Sequence, residues 1–247
     1  MIPARPTARN PLLDEHRRRS GVANPDEVEA IRRRWGFAIP DDTALDTLAA
    51  FAQPSGIIEI GAGLGYWAQL LTTRGVDVIA FDLHPPPSPA NAWFAGIDPY
   101  HPIGEADADI AARHPDRTLL VIWPAKNQEW AATAAAGFHS AGGHRLAYVG
   151  TSPGGRTADD QFHAQLGNHA VCVACAYGVV SVPCICATPV LWQHVATHRL
   201  PHWPTDEDDL HLYRRAPTRP RRRDSQSRFR TRLRRKQPGV PHRSGTS

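Results

Sequence analysis

Residues 57–67 read Ile57-Ile58-Glu59-Ile60-Gly61-Ala62-Gly63-Leu64-Gly65-Tyr66-Trp67, and the rest of the chain takes its place from them. A short β-branched run interrupted by Glu59, then three glycines at alternate positions, then Trp67, Leu70 and Leu71 at helical spacing, predicts strand, tight turn and helix. Glycine at such a turn lets the backbone approach a ligand without a Cβ, so this is a candidate nucleotide site. Val76 to Phe81 predicts a second strand, ending in Asp82, 21 positions after Gly61. An acid at a spacing of roughly 20 residues is where ribose hydroxyls are met in such folds. So compact a strand-helix-strand unit implies parallel pairing through a right-handed crossover.

The glycine spacing separates ligands. A dinucleotide fingerprint is G-x-G-x-x-G, whereas these glycines read G-x-G-x-G and Tyr66 takes the last expected glycine position. Glu59 is unexpected in a strand that serves only as core. A carboxylate there can reach the cationic end of a ligand or hold the loop.

Outward from the turn, Asn24-Pro25-Asp26-Glu27 starts a helix over residues 25–35, with Val28, Ile31 and Trp35 on one face. Asp41-Asp42-Thr43 opens another that ends near Pro54, and the two would form a lid or wall over the glycines. Pro85 to Pro87 and Pro89 make a stiff connection; residues 91–101 show no clear pattern, with Trp93 and Phe94 expected to be buried. A helix from Glu105 to His114, a buried strand from Arg117 to Trp123, a helix from Trp130 to about His139 and a strand from Arg145 to Gly150 follow. Thr157-Ala158-Asp159-Asp160 reads as a helix start, and His194 to Leu200 and Leu210 to Tyr213 as the last two strands. This alternation predicts an α/β fold: a doubly wound, mostly parallel Rossmann-like sheet with N-terminal helices.

The chain of 247 residues, 41% hydrophobic, suits one domain with tails. Its net charge of +4 hides a division. Residues 214–247 carry thirteen basic residues against the single acid Asp224, which leaves Met1 to Tyr213 acidic by eight charges. The expected layout is a flexible N-terminus over 1–24, a domain over 25–213 with an apolar insert at about 174–193, and an Arg-rich disordered tail over 214–247. Such a tail attracts phosphate, which makes a weak nucleic-acid contact through residues 214–236 one reading, with Phe229 alone for stacking, and a merely solvated extension the favoured one.

The N-terminus lacks the apolar core of a signal peptide, and Gly178, Ser181 and Pro183 dilute the uncharged run after His169. A cytoplasmic protein without a membrane partner is the expectation. Cys172, Cys175, Cys184 and Cys186 lie in apolar, strand-like sequence where cysteine is a small hydrophobe, and the histidines lack ligand spacing, so no metal is expected.

Glu59-x-Gly61-x-Gly63-x-Gly65 with Asp82 after the next strand resembles the first two motifs of class I S-adenosylmethionine-dependent methyltransferases, over roughly residues 40–215. The resemblance implies a methyltransferase sheet, S-adenosylmethionine as cofactor and methyl transfer to an acceptor it does not identify. Carried over, the cofactor set is Glu59, Gly61, Gly63, Gly65, Tyr66 and Asp82, with Glu105 near the adenine. More narrowly, Ile39-Pro40, Gly65-Tyr66-Trp67, Val121-Ile122-Trp123-Pro124 and residues 154–160 resemble a branch of methyltransferase-like proteins with Trp-Pro-Pro after strand four. Adenine and cytosine N-methyltransferases have Asn-Pro-Pro-Tyr there. Trp123-Pro124-Ala125-Lys126 lacks both the amide that grips a target amine and the second proline.

Displacement at a sulfonium needs mainly proximity and orientation, so no catalytic acid or base is assigned. Trp123, Pro124 and Lys126 are the pocket candidates, with Thr151 and Ser152, at carboxyl ends of strands where open α/β sheets bind ligands. Two other readings remain: a noncatalytic module of the same fold, associated with nucleic acid through its tail, and a nicotinamide-dependent enzyme.

Overall fold

The computed structural model of the chain describes residues 9–19, 24–168, 184–204 and 206–216. Three helices precede the sheet: α1 (Pro11–Arg19), α2 (Pro25–Trp35) and α3 (Asp42–Ala52). The Asn24 side chain accepts from the Asp26 amide at 2.9 Å and Asp41 from the Ala44 amide at 2.7 Å, each satisfying an amide that a helix start leaves open. The expectation of a loose terminus over 1–24 fails for residues 9–19. Leu12 and Leu13 are buried, Asn10 donates to the Pro40 carbonyl at 2.8 Å, and its Oδ1 accepts from the Tyr66 hydroxyl at 2.8 Å. Residues 1–8 and 20–23 lie outside the described residues.

The sheet holds β1 (Ile57–Ile60), β2 (Val78–Asp82), β3 (Ile103–Glu105), β4 (Thr118–Ile122), β5 (Arg145–Gly150), β6 (Trp192–Arg199) and β7 (Asp209–Arg215), with α4 (Tyr66–Thr73), α5 (Trp130–Ser140) and α6 (Asp160–Gln165) between strands. Their order is β3-β2-β1-β4-β5-β7-β6. The first five run parallel, and β7 is antiparallel to both β5 and β6. Successive side chains point to opposite faces. Ile57, Leu120, Ala147 and Val149 pack with α1 to α4, while Ile58, Ile60, Leu119, Val121, Leu146 and Tyr148 pack with α5 and α6. Burial on both faces is why Leu119-Leu120-Val121 shows no polar alternation. The doubly wound reading holds.

Several local expectations change. Glu105 does not open a helix: Ala80, Phe81 and Asp82 pair with Ile103, Gly104 and Glu105, and a 3-10 helix over Ala108–Arg113 starts only after Asp107 caps it. Trp93 is 48% exposed although Phe94 is buried, and Asn91 Oδ1 accepts from the amides of both, at 3.0 and 2.9 Å. The insert expected at 174–193 runs into strand, since β6 begins at Trp192. Residues 169–183, which include Cys172 and Cys175, lie outside the described residues. The tail boundary shifts too, because Arg214 and Arg215 pair with Gln193 and Trp192 in β7–β6; residues 217–247 are not described. Among the described residues no helix is long and apolar enough to cross a membrane, and no group of side chains could hold a metal ion.

Candidate functional site

Where β1 ends, Gly61, Gly63 and Gly65 all have positive φ, +68°, +54° and +65°. A side chain in that region costs roughly 1–2 kcal/mol, so three such residues in five make a glycine turn the economical solution. The turn is tied to the sheet by the Ala62 amide, which donates to the Phe81 carbonyl at 3.0 Å. Gly65 then starts α4 with no side-chain cap, which leaves the first-turn amides available to a ligand. Aromatic rings close on the glycines from outside: a Cβ on Gly61 would come within 2.5 Å of Trp130, and one on Gly63 within 2.7 Å of Phe94.

Beside this turn lies a cavity of about 290 Å³ at the carboxyl ends of β1, β2 and β4. Glu59, Asp82 and Asp107 line it, and among the described residues no Lys or Arg does. Asp82 accepts from the Gly63 amide at 2.9 Å through one oxygen and from the His84 amide at 3.0 Å through the other. Burial raises its carboxyl above the usual range, and those two amides oppose the rise. Glu59 is 2% exposed and its Oε2 has no hydrogen-bond partner among the described residues. Burial first, and the charge of Asp82 second, push its carboxyl up to about 8. In the chain alone Glu59 is therefore protonated at neutral pH.

The sequence-chosen residues do not all meet here. Glu59, Gly61, Gly63, Tyr66, Asp82 and Trp123 line the cavity. Gly65 turns the chain into α4, and the Tyr66 hydroxyl is bonded to Asn10 and the Leu12 amide rather than open to the cavity. Glu105 is exposed at the end of β3 and off the lining, which Asp107 and Ala108 supply instead. Pro124 and Lys126 also lie off it, with Lys126 Nζ 3.4 Å from the Gly154 carbonyl. Ala125, between them, does line it, after Trp123 with its φ of +49° at the end of β4. Thr151 is buried in a hydroxyl cluster with Thr157, at 2.9 Å, and Ser152 is exposed.

Other contributors were not foreseen. Phe37, in the linker after α2, stacks on Trp123 at 4.4 Å. Asp208, just before β7, accepts the Trp123 indole N–H at 3.1 Å on both oxygens; burial, then the neighbouring Asp206, push its carboxyl up to about 7. Asn91 positions Phe94 over the turn. Its place two and three residues before the amides it accepts is a turn signature present in the sequence.

No protein-family model and no curated protein matches the chain. Solved structures similar to it include magnesium protoporphyrin IX methyltransferase from Synechocystis with bound SAH, at 13% identity and TM-score 0.44, covering 84% of this chain and 96% of that one. The N-methyltransferase NodS from Bradyrhizobium japonicum is similar at 15% identity and TM-score 0.37, covering 79% and 100%. TehB from Haemophilus influenzae is similar at 12% identity and TM-score 0.40, covering 71% and 63%. Five parallel strands in the order β3-β2-β1-β4-β5, an antiparallel β7 inserted before β6, a glycine turn after β1 and an acid ending β2 make this the class I methyltransferase-like fold.

Proposed function

We propose that the chain binds S-adenosylmethionine across the carboxyl ends of β1 and β2 and transfers its methyl group to an acceptor. The observation that carries this reading is Glu59: a buried carboxyl with an unpartnered oxygen, in the same cavity as the glycine turn and Asp82. Leaving a buried polar atom unpaired costs about 1–3 kcal/mol, a cost that a cationic ligand removes. The cofactor carries two cationic centres, a sulfonium and an ammonium. Each Asp82 oxygen accepts one amide and keeps lone-pair capacity for a ribose hydroxyl. Asp107 and Ala108 flank the base in this reading, in place of Glu105.

When bound, the cofactor supplies a methyl group activated by sulfonium. The chain's part is to hold and orient it: the glycine turn gives close backbone approach, Asp82 and Glu59 fix the two polar ends, and Phe94 and Trp130 shield the turn from water. Titration calorimetry on the full chain tests this. S-adenosylmethionine and S-adenosylhomocysteine should both bind, and Asp82→Ala should weaken both by about tenfold or more, the worth of hydrogen bonds to a charged group. No binding, or binding indifferent to Asp82→Ala, overturns the reading.

Glu59 adds a pH signature. Its folded-state value of about 8 lies above the ordinary glutamate value of 4.5, so its contribution to stability is fully present below about 4.5 and is lost as pH rises through 8. The slope reaches roughly 1.4 kcal/mol per pH unit within that window. Urea unfolding from pH 5 to 9 should show a steeper fall in the unliganded chain than in Glu59→Gln, where Asp208, raised to about 7, still contributes; equal slopes would contradict it. Affinity for the cationic cofactor should rise with pH up to about 8, as ionising Glu59 ceases to cost.

A further inference from the structure

Trp123 lines the cavity from the end of β4 with a φ of +49°, a backbone region that a bulky side chain rarely occupies. Such a residue keeps its conformation only where its surroundings dictate it. Its amide donates to the Val149 carbonyl at 2.8 Å, and its ring is stacked on Phe37, with the Arg156 guanidinium 5.7 Å from the ring centre. The remaining hold is polar and comes from far along the chain. The indole N–H reaches both oxygens of Asp208, 85 positions away, at 3.1 Å.

Asp208 is 2% exposed, yet it has no ion pair among the described residues, because Arg32 and Arg156 are both given to Asp206. An asparagine could accept the same N–H without burying a charge. Burial and then Asp206 disfavour the charge of Asp208, while Trp123, Arg32 on α2 and His202 favour it. Tyr148 on β5 feels that charge, and Glu207 and Asp209 flank Asp208 in the chain. With its carboxyl at about 7, both proton states are populated at neutral pH. Phe37 cannot titrate and Arg156 stays charged, so the carboxylate is the hold on the Trp123 ring that changes over this range.

We propose that Asp208 is a positioning residue of the cofactor cavity: its carboxylate holds the Trp123 indole in place as part of the wall, and a proton on it loosens that wall. The consequence for the ligand rests on the cofactor reading above. Ionised, both oxygens accept the N–H and the bond is charge-assisted. Protonated, one oxygen carries a hydrogen of its own, and the indole keeps a weaker, one-sided acceptor. The stack on Phe37 remains, and the left-handed backbone of Trp123 is then held by fewer restraints.

Titration calorimetry of the full chain with S-adenosylhomocysteine at pH 6 and pH 8 tests this. Asp208→Asn should weaken binding about fivefold at pH 8, where a charged acceptor has become a neutral one, and should be nearly level with the natural chain at pH 6. Comparison at each pH cancels the titration of Glu59, which both chains share. In a Trp123→Phe background, which keeps the ring and removes the N–H, Asp208→Asn should have no effect at either pH. Equal or tighter binding by Asp208→Asn at pH 8 overturns the proposal. So does a loss that persists in the Trp123→Phe background, since the charge would then act on the ligand directly. If S-adenosylhomocysteine does not bind at all, the cofactor reading has failed, and fluorine NMR of the unliganded chain carrying 5-fluorotryptophan decides the rest. The resonance missing from Trp123→Phe should move with a midpoint near pH 7 and stay still in Asp208→Asn; a resonance equally still in the natural chain overturns the hold itself.

Discussion

Replacing Asp206 by alanine is expected to lower the free energy of unfolding by about 3–5 kcal/mol, because it strands a buried charge. Asp206 is 2% exposed and binds two guanidinium groups, Arg32 on α2 and Arg156 at 2.9 Å. Arg32 is itself 6% exposed, so removal of Asp206 leaves a cation that water hardly reaches, with the half-exposed Glu29 at 3.9 Å as a weaker partner. Arg156 is half exposed and loses little. One effect works the other way: the charge of Asp206 helps to raise the Asp208 carboxyl, and relief of that repulsion returns part of the loss. Urea unfolding at pH 7 measures the difference, with Arg156→Ala expected to cost about 1 kcal/mol or less. A loss below 1 kcal/mol in Asp206→Ala would show that Arg32 is not held as described. The cluster matters for the cavity, since it fastens α2, and with it Phe37, to the chain that holds Trp123 through Asp208.

Gly63→Val should be strongly damaging to the glycine turn. At φ +54° a branched side chain is strained by about 1–2 kcal/mol or more. Its Cβ would also lie 2.7 Å from the Phe94 ring, which is fixed by Asn91, and overpacking of this kind costs about 1–3 kcal/mol. If that cost falls on the ligand-binding shape of the turn, affinity for S-adenosylhomocysteine drops by about a hundredfold. Gly142→Ala supplies the control, because Gly142 also has positive φ, +103°, but no atom lies within 4 Å of its Cβ position. It should cost only strain and leave affinity unchanged. Equal affinity in the two variants would mean that the turn does not touch the ligand.

What could be read from the sequence was what local physics fixes. Left-handed turns select glycine, strands covered on both faces become apolar runs, and Asn24, Asp41 and Asp159 announce helix starts through their own side chains. Hence β1, the turn, α4 and β2 emerged nearly in place. Features built by distant partners did not. β3 is three residues long and owes its form to pairing with β2, so Glu105 looked like a helix start. α1 is fixed by Asn10 and Tyr66, 56 positions apart, and Arg32 meets Asp206 across 174. Of the run Trp123 to Lys126, Trp123 and Ala125 line the cavity, and Pro124 and Lys126 do not. Glu59, Asp82 and Trp123 were thus legible, and Asp107 and Phe37 were not.

Hydrogen–deuterium exchange of the full chain with and without saturating S-adenosylhomocysteine tests the central claim where it is made. Exchange should slow in residues 61–67, 82–84 and 106–108 and stay unchanged in α6. Binding that leaves residues 61–67 as fast as before would place the cofactor elsewhere and contradict the account.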